Sequence, residues 1–252
     1  AIADLGLPAQ LEKLAMLDRG LILIVGPAGS GKSTTLAAML EHRNQQKSGH
    51  IVCIEDPIEF IHQHRLSVID QREVGLDTHS FSDALRNVLR EAPDVIMLGE
   101  IRDLDTMQNA LHYAETGHLC LATLHATTTT HALERVVRLF PEEARHQILA
   151  DLAQNRVALI GQRLVPALTQ RRAVSVELML ATAHIRDLIQ RGLLADIREA
   201  IGRAREQGLQ TFVQHLFGLY EAGKISIEEA LRHAVSRTDL TLGIKLGKQI
   251  SS

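Results

Sequence analysis

Residues 26–33, GPAGSGKS, have the spacing of a phosphate-binding loop, G-x-x-x-x-G-K-[ST]. Its glycines let the backbone curl until several N–H groups converge on an anion, and the helix predicted to follow adds a favourable dipole. The Lys32 amine can reach the β- and γ-phosphates of a nucleotide, and the Ser33 hydroxyl can ligate Mg²⁺. A glycine-rich turn that matches by chance is the alternative. We predict nucleotide binding at Gly26, Gly29, Ser30, Gly31, Lys32, Ser33 and Thr34.

Hydrolysis of a bound nucleotide also needs a metal ligand and a group that positions water. Residues 95–100, VIMLGE, predict a buried strand that ends in Gly99 and Glu100. Because such a strand ends beside the phosphate loop, the Glu100 carboxylate is the predicted Mg²⁺ ligand, and Gly99 is expected to clear space for nucleotide and metal. A solvated carboxylate at a strand end is the alternative for Glu100.

Three carboxylates crowd residues 55–60, EDPIEF, directly after another apolar run: Glu55, Asp56 and Glu59. Carboxylates so close together repel one another unless a metal, arginines or water absorb the charge. We predict that one of them polarises the attacking water, and an acidic surface turn is the alternative.

Two histidines flank a further apolar run, His118 before it and His125 after it. A side chain at the carboxyl end of a parallel strand faces the crevice where ligands bind, so these histidines are predicted to sense the γ-phosphate or hold water. Structural capping is the alternative. HQH at 62–64 is interpreted as solvated and not as a metal site.

Arginines in this sequence are candidates for stabilising the charge of the transition state, some of them across a subunit boundary. They are Arg72, Arg86, Arg90, Arg102 and Arg135. Asp103 is predicted to cap the helix that follows it.

The elements that must position these groups are short apolar strands separated by helical patterns. Predicted strands lie at 21–25, 51–54, 95–98, 119–122 and 173–178. The first four do not alternate polar and apolar residues, which is typical of a parallel sheet covered on both faces. Strand alternating with helix predicts an α/β fold with a mainly parallel sheet.

Only helical patterns follow residue 181. They cover 182–190, 193–206, 211–222 and 226–234. We therefore predict a nucleotide-binding core at 1–180 and a small helical subdomain at 181–252. Ser226 is the predicted N-cap of the last of these helices, and Thr130 that of an earlier helix.

The composition is that of an ordinary globular protein, with 45% apolar and 23% charged residues among 252. A net charge of −3 and 3% aromatic residues disfavour a nucleic-acid translocase, so no nucleic-acid partner is expected. Cys53 and Cys120 lie in apolar runs and are interpreted as buried, reduced thiols. No apolar run approaches the roughly 20 residues of a membrane span.

Four motifs in this order resemble the secretion and type IV pilus ATPase family, in which they are named Walker A, Asp box, Walker B and His box. They are GPAGSGKSTT, IEDPIEF, VIMLGEIRD and GHLCLATLHA. Further segments are similar to the pilus retraction motors, PilT and PilU. They are SGH (48–50), QREVG (71–75), ALRNVLREAPDVI (84–96) and AETGH (114–118). The tail at 208–234 looks most like the PilU branch.

This resemblance implies a RecA-like ATPase that works as a ring hexamer, with ATP and Mg²⁺ as cofactors and with pilus retraction and twitching motility as its function. By resemblance, Glu100 serves the Mg²⁺ site, Glu59 the attacking water, and His125 is the His-box histidine. The implied location is the cytoplasm, peripheral at the inner membrane, with an inner-membrane platform protein as partner. The family's N-terminal PAS-like domain is expected to be absent from this chain.

Two departures bear on the branch. AHIRDLIQRGLL at 183–194 lacks an acid found in the corresponding segment of PilT. This favours, as an alternative, an accessory ATP-binding subunit that depends on a paralogous retraction motor. The related assembly and secretion ATPases usually carry a four-cysteine zinc motif, which two isolated cysteines do not match.

Overall fold

A seven-stranded sheet forms the centre of this computed structural model, which describes residues 1–169 and 172–246. In chain order its strands are β1 (Gly20–Val25), β2 (Gly49–Glu55), β3 (Ser67–Glu73), β4 (Val95–Leu98), β5 (Leu119–Leu124), β6 (Val157–Pro166) and β7 (Arg172–Leu180). Their spatial order is β3-β2-β4-β5-β1-β6-β7. Strands β1 to β6 are parallel, whereas β7 returns antiparallel to β6. The predicted α/β fold with a mainly parallel sheet is confirmed.

Helices cover both faces of this sheet. They are α1 (Gln10–Ala15), α2 (Lys32–Gln46), α3 (Phe81–Val88), α4 (Leu104–Glu115), α5 (Thr129–Leu139), α6 (Arg145–Gln154), α7 (Ala183–Gln190), α8 (Ile197–Arg203), α9 (Phe212–Glu221), α10 (Ile227–His233) and α11 (Arg237–Leu246). Short 3-10 segments adjoin several of them, at Ala3–Leu5, Leu89–Glu91, Glu142–Ala144, Leu194–Asp196 and Arg205–Gln207.

Strand β1 shows why the central strands lack alternation. All six of its residues are buried, and its side chains divide between two cores. Leu21, Leu23 and Val25 join the helices α3 to α8 on one face, while Ile22 and Ile24 join α1 and α2 on the other. A strand that packs against apolar cores on both faces needs apolar side chains at every position, so its sequence does not alternate.

Two strands are not predicted by the sequence patterns, and both carry polar residues. Strand β3, SVIDQRE, lies at the edge of the sheet and is only partly buried. Strand β6 includes Gln162 and Arg163, which interrupt its apolar pattern although Gln162 is buried. Helix α11 is also missed by the sequence patterns.

Helix caps test the sequence predictions closely. The Asp103 carboxylate accepts a hydrogen bond from the Thr106 N–H at 2.8 Å, and Ser226 accepts one from the Glu229 N–H at 3.2 Å, which confirms both caps. The prediction for α5 is wrong by two residues. Its N-cap is Thr128, whose side chain accepts from the His131 N–H, because Thr130 already lies inside the helix.

The helices after β7 use two different cores. Helices α7 and α8 contribute apolar side chains, among them Ile185 and Ile201, to the same cluster as the sheet. Helices α9 to α11 form a smaller cluster with the ends of β6 and β7 that includes Val165 and Leu216. Residues 247–252 of the predicted helical subdomain lie outside the described residues, and the division at residue 180 stays a prediction.

Both cysteines are buried and free of disulfide bonds, as predicted. Burial raises the pKa of the Cys120 thiol to about 12 and that of Cys53 well above its ordinary value. These thiols therefore stay protonated. Among the helices of the described ranges, none combines the length and the apolar character needed to cross a membrane.

His215 anchors α9 to the sheet. Its Nδ1 accepts a hydrogen bond from the Val176 N–H of β7 at 2.8 Å, so the ring must be neutral at that nitrogen. Burial, with a smaller effect of the Lys224 charge, lowers the pKa of His215 to about 4. The anchor is therefore present near neutral pH and is lost when His215 becomes protonated.

We predict that acid destabilises the protein through His215. Because its pKa is about 4 in the folded chain and about 6.5 when unfolded, the unfolded state binds more protons between these values. Stability should thus fall by about 2 kcal/mol as pH drops from about 7.5 to about 5. In His215→Asn, whose amide oxygen keeps an acceptor near the Nδ1 position, this part of the loss should vanish.

Urea unfolding of both proteins at the two pH values measures the difference. His146→Asn, at an exposed position on α6, is the matched control and should keep the wild-type pH dependence. Equal pH dependence in wild type and His215→Asn would contradict the prediction.

Candidate functional site

The carboxyl ends of β1, β2, β4 and β5 open into a cavity of about 570 Å³. It brings together residues that lie far apart in the sequence. Among the predicted site residues, those lining it are Gly29, Gly31, Lys32, Ser33, Thr34, Glu59, Glu100 and His125. Gly26 and Ser30 are absent from this lining, and both are buried. Predicted residues from four separate segments therefore meet at one edge of the sheet, as expected for open α/β folds.

The phosphate loop connects β1 to α2. Gly29 and Gly31 adopt positive φ angles of 72° and 86°, where a side chain would be strained. Lys32 is only 9% exposed, and its ammonium group donates to the carbonyl oxygens of Gly26 at 3.1 Å and Pro27 at 3.0 Å. Burial lowers the pKa of Lys32, while Glu100 and Glu59 oppose the shift. A bound phosphate would compete with these two carbonyls for the ammonium group.

Gln162, which sequence reading does not single out, ties this loop to β6. Its amide nitrogen donates to the Ser30 carbonyl at 2.7 Å, and its amide oxygen accepts from the Thr35 hydroxyl at 2.7 Å. The side chain is 3% exposed. One residue thus holds the loop and the first turn of α2 in a fixed relation to the sheet.

Close packing beneath the loop requires glycine at residue 26. A Cβ on Gly26 would lie 2.4 Å from the Ser30 hydroxyl and 2.5 Å from the Gln162 carbonyl oxygen. Within the described part of the chain, the buried Ser30 hydroxyl has no hydrogen-bond partner. The Ser30 side chain therefore lies under the loop, and its backbone is the part tied to β6.

Glu100 stands at the tip of β4 between two positively polarised groups. One carboxylate oxygen is 3.0 Å from His125 Nε2, and the other accepts from Arg102 Nε at 2.6 Å. Arg102 also donates to the Asp56 carboxylate at 3.0 Å. The hydrogen bond and charge of Glu100, with a smaller effect of Asp56, raise the pKa of Arg102. Arg102 is one of the arginines considered for a contact across a subunit boundary. In this chain its guanidinium pairs with the carboxylates of Glu100 and Asp56.

The three carboxylates of the acidic segment have different environments. Glu55 is buried, and its carboxylate accepts from the Gln71 amide at 2.9 Å. Burial raises the pKa of Glu55, and the hydrogen bond from Gln71 partly offsets it. Asp56 pairs with Arg102, and Glu59 is exposed at the cavity wall. The three carboxylates are close in sequence, but their different surroundings reduce the repulsion among them.

Gln71 of β3 also shapes the loop that follows β2. Its amide nitrogen donates to the Phe60 carbonyl at 2.8 Å, and its amide oxygen accepts from the His62 N–H at 2.8 Å. Because Glu59 directly precedes these contacts, Gln71 fixes the segment that places Glu59 beside the cavity. Gln71 is a second positioning residue that the sequence motifs do not reveal.

Gly99 lies close to the backbone of β2. A Cβ there would lie 3.3 Å from the Glu55 Cα and 3.4 Å from the Ile54 carbonyl oxygen. The Gly99 N–H donates to that carbonyl at 2.8 Å. Gly99 also lines the cavity, and its role in clearing space for nucleotide and metal stays a prediction.

Comparison with known proteins adds to this geometry. The protein family described as "Type II/IV secretion system protein" matches residues 6–191. The chain belongs to this family. Among its relatives, the type IV pilus ATPase PilU of Pseudomonas aeruginosa is 51% identical over 98% of the chain, which spans 65% of PilU. The type IV pilus retractation ATPase PilT of the same organism is 43% identical over 92% of the chain, which spans 67% of PilT.

Solved structures of the family share the fold. The crystal structure of the pilus retraction motor PilT with bound ADP is 42% identical, with a TM-score of 0.89 over 96% of this chain and 68% of that one. The ATPase DotB of Legionella pneumophila is 29% identical, with a TM-score of 0.82 over 91% of this chain and 63% of that one. The fold is therefore that of the secretion ATPases.

Some of the predicted site residues lie away from the cavity. His118 is at the opposite end of β5, where its Nδ1 lies 3.2 Å from the Tyr113 carbonyl and from the Thr116 hydroxyl, so capping is the correct interpretation. Arg72 pairs with Glu91 at 2.6 Å. In HQH, Gln63 and His64 are exposed and His62 is partly buried at the cavity wall. His64 Nδ1 also accepts from the Ile69 N–H at 3.0 Å.

We predict that Gln162→Leu destabilises the protein by about 1–3 kcal/mol, because it leaves the buried Ser30 carbonyl and Thr35 hydroxyl without partners. The loosened loop should also bind ADP about tenfold more weakly. Urea unfolding and isothermal titration calorimetry measure the two effects.

Gln147→Leu is the matched control, since Gln147 makes one exposed hydrogen bond to Asp151 on α6. It should change stability by less than about 0.5 kcal/mol and leave ADP affinity unchanged. If Gln162→Leu behaves like this control, Gln162 does not anchor the loop.

Proposed function

We propose that this chain is the ATP-hydrolysing core of a type IV pilus motor that acts in pilus retraction. One observation carries the proposal: the phosphate loop, the Glu100–His125 pair and Glu59 line the same cavity. Membership of the secretion family and 51% identity to PilU support it. The named activity of PilT and its bound ADP favour a nucleotide as the ligand.

Nucleotide phosphates would bind on the loop from Gly26 to Thr34. The positive φ angles of Gly29 and Gly31 turn the loop toward the start of α2, where backbone N–H groups have no partner within the helix. Lys32 would exchange its two carbonyl partners for phosphate oxygens. That exchange adds charge pairing without burying a new ammonium group, since Lys32 is already buried.

The residues at the cavity fit Mg²⁺. Mg²⁺ prefers oxygen ligands and takes few of them from a protein when phosphates supply others. Ser33 offers a hydroxyl and Glu100 a carboxylate, and both line the cavity. We assign the metal site to these two residues. When bound, the metal neutralises charge that develops on the phosphates.

Water activation falls to Glu59 in this proposal. Glu55 is buried and bonded to Gln71, and Asp56 is exposed but paired with Arg102, whereas Glu59 is exposed at the cavity wall. An exposed carboxylate can accept a proton from water as water attacks the γ-phosphate. His125, through its contact with Glu100, is placed to respond to the γ-phosphate.

The assembly follows from the same family relation. We infer a homo-oligomer, with a hexameric ring as the form, that works in the cytoplasm at the inner membrane on a platform protein. We also propose that residues 1–180 are the ATPase core and that the helices from residue 181 form the subdomain through which the ring transmits force.

We predict different defects for Lys32 and Glu59 in the full-length protein. Lys32→Ala should abolish ATP binding and turnover, because it removes the buried cation of the loop. Glu59→Gln should retain ATP binding but lower kcat by roughly 10²–10⁴-fold, since an amide cannot accept the proton. Glu100→Ala should also abolish turnover.

Phosphate release and fluorescent-ADP binding separate these outcomes. Glu115→Gln, an exposed carboxylate at the end of α4, is the control and should match wild type. ATP turnover that persists in both Lys32→Ala and Glu100→Ala would contradict the proposal.

A second function is favoured by the higher identity to PilU, 51%, than to PilT, 43%. In it the chain belongs to an accessory ATP-binding subunit that depends on a paralogous retraction motor. The two functions overlap, because an accessory subunit can still hydrolyse ATP.

We predict that the full-length protein forms hexamers and that ATP increases their fraction. Mass photometry with and without ATP measures this, with Lys32→Ala as the control that should not respond to ATP. Pilus retraction in a strain that lacks only this gene then decides between the functions. Loss of all retraction while the paralogue is present would exclude the accessory function, and monomers under every condition would contradict the ring.

A further inference from the structure

Two charged side chains, Arg163 and Glu177, bind the backbone of the loop that carries His125. The Thr127 carbonyl accepts a hydrogen bond from Arg163 of β6 at 3.0 Å. The N–H and hydroxyl of Thr129 both donate to the Glu177 carboxylate of β7, each at 2.8 Å. Glu177 is 3% exposed. Both ends of the short segment 127–129 are therefore held by side chains of β6 and β7.

Arg163 reaches the C-terminal helices with the other side of its guanidinium. It donates to the carbonyl of His233, the last residue of α10, at 3.0 Å. It also lies 4.3 Å from the ring centroid of Phe212, the first residue of α9. A cation at the C-terminal end of a helix and over an aromatic face is favourable in both places. Arg163 thus joins three segments that are distant in sequence.

The packing around Arg163 leaves little freedom. Gly161 lies two residues earlier on the same face of β6, and a Cβ there would be 3.1 Å from the Phe212 ring and 3.2 Å from Glu177 Cβ. Phe212 is 1% exposed. The glycine lets the ring lie against the strand, where the guanidinium stacks on it. Burial lowers the pKa of Arg163, and the charge of Glu177 opposes that shift.

We propose that Arg163 is a positioning residue that couples the His125 loop of the nucleotide site to α9 and α10. This rests on the proposed ATPase function for its effect on turnover. One residue, Ala126, separates His125 from Thr127, and His125 contacts Glu100 at 3.0 Å. A shift of the loop on nucleotide binding is therefore passed to the helices through Arg163, and displacement of the helices shifts His125 in turn.

Full-length Arg163→Gln tests the coupling, because the acceptors are backbone carbonyls that substitution cannot remove. Its kcat should fall about tenfold while KM for ATP stays within about twofold, because His125 is displaced and the phosphate loop is not. Arg163→Lys keeps the charge but lacks the planar fork of donors that reaches the two carbonyls, so its kcat should lie between those of wild type and Arg163→Gln. Arg138→Gln, an exposed arginine on α5 paired only loosely with Glu134, is the matched control and should match wild type.

Hydrogen exchange gives a readout that does not need turnover. Without nucleotide, Arg163→Gln should exchange faster in 125–129 and in 227–233, and slowly exchanging amides of β1 should not change. In wild type an ATP analogue should slow exchange in both segments, whereas in Arg163→Gln it should slow only the first. Phe212→Leu, which keeps an apolar filling but removes the ring, should shift exchange in the same direction and covers the case in which Arg163→Gln does not fold.

The outcomes separate the two proposals. A wild-type protein without ATPase activity would overturn the proposed function. The hydrogen-exchange comparison without nucleotide would still decide whether Arg163 couples the His125 loop to α9 and α10. A normal kcat in Arg163→Gln, or wild-type exchange in 125–129 and 227–233, would overturn the coupling. A lower melting temperature with unchanged kcat would show that Arg163 is only structural.

Discussion

The hydrogen bonds of Gln162 set the relation between the phosphate loop and the sheet. The amide bridges the Ser30 carbonyl and the Thr35 hydroxyl from a buried position on β6. Gly26 lies so close to the Gln162 backbone that no other residue fits there. Loop, helix α2 and sheet are thereby one unit, and the rest of the cavity is arranged around a loop that cannot move independently.

Several ionic groups around that unit are paired with neighbours in the same chain, whether they are buried or exposed. Arg102 lies between Glu100 and Asp56, Gln71 bonds the buried Glu55, and Lys32 bonds loop carbonyls. A buried charge without such partners would be costly. Glu59 differs from the two other acids of its segment, because Glu55 is buried and Asp56, although exposed, is paired with Arg102.

The sequence predicts the parts of this site that depend on residue type and local spacing. The loop at 26–33, the strand before Glu100 and the cap at Asp103 all follow from short patterns. Contacts between distant segments do not follow. Gln162 and Arg163 look like interruptions of an apolar strand, and only the pairing of β6 with β1 and β7 shows why polar groups occur there. The close approach of the β2 backbone to Gly99 is likewise not visible in the sequence of β4 alone. His118 and His125 look equivalent until the direction of β5 separates them.

The position of Lys32 has a consequence for the end of a reaction cycle. Its ammonium group donates to the carbonyls of Gly26 and Pro27, which belong to the phosphate loop itself. Phosphate oxygens would therefore replace existing hydrogen bonds of Lys32. In the proposed ATPase, these two carbonyls would compete with the remaining phosphates for the lysine after cleavage. The backbone of the loop would therefore assist departure of the spent nucleotide.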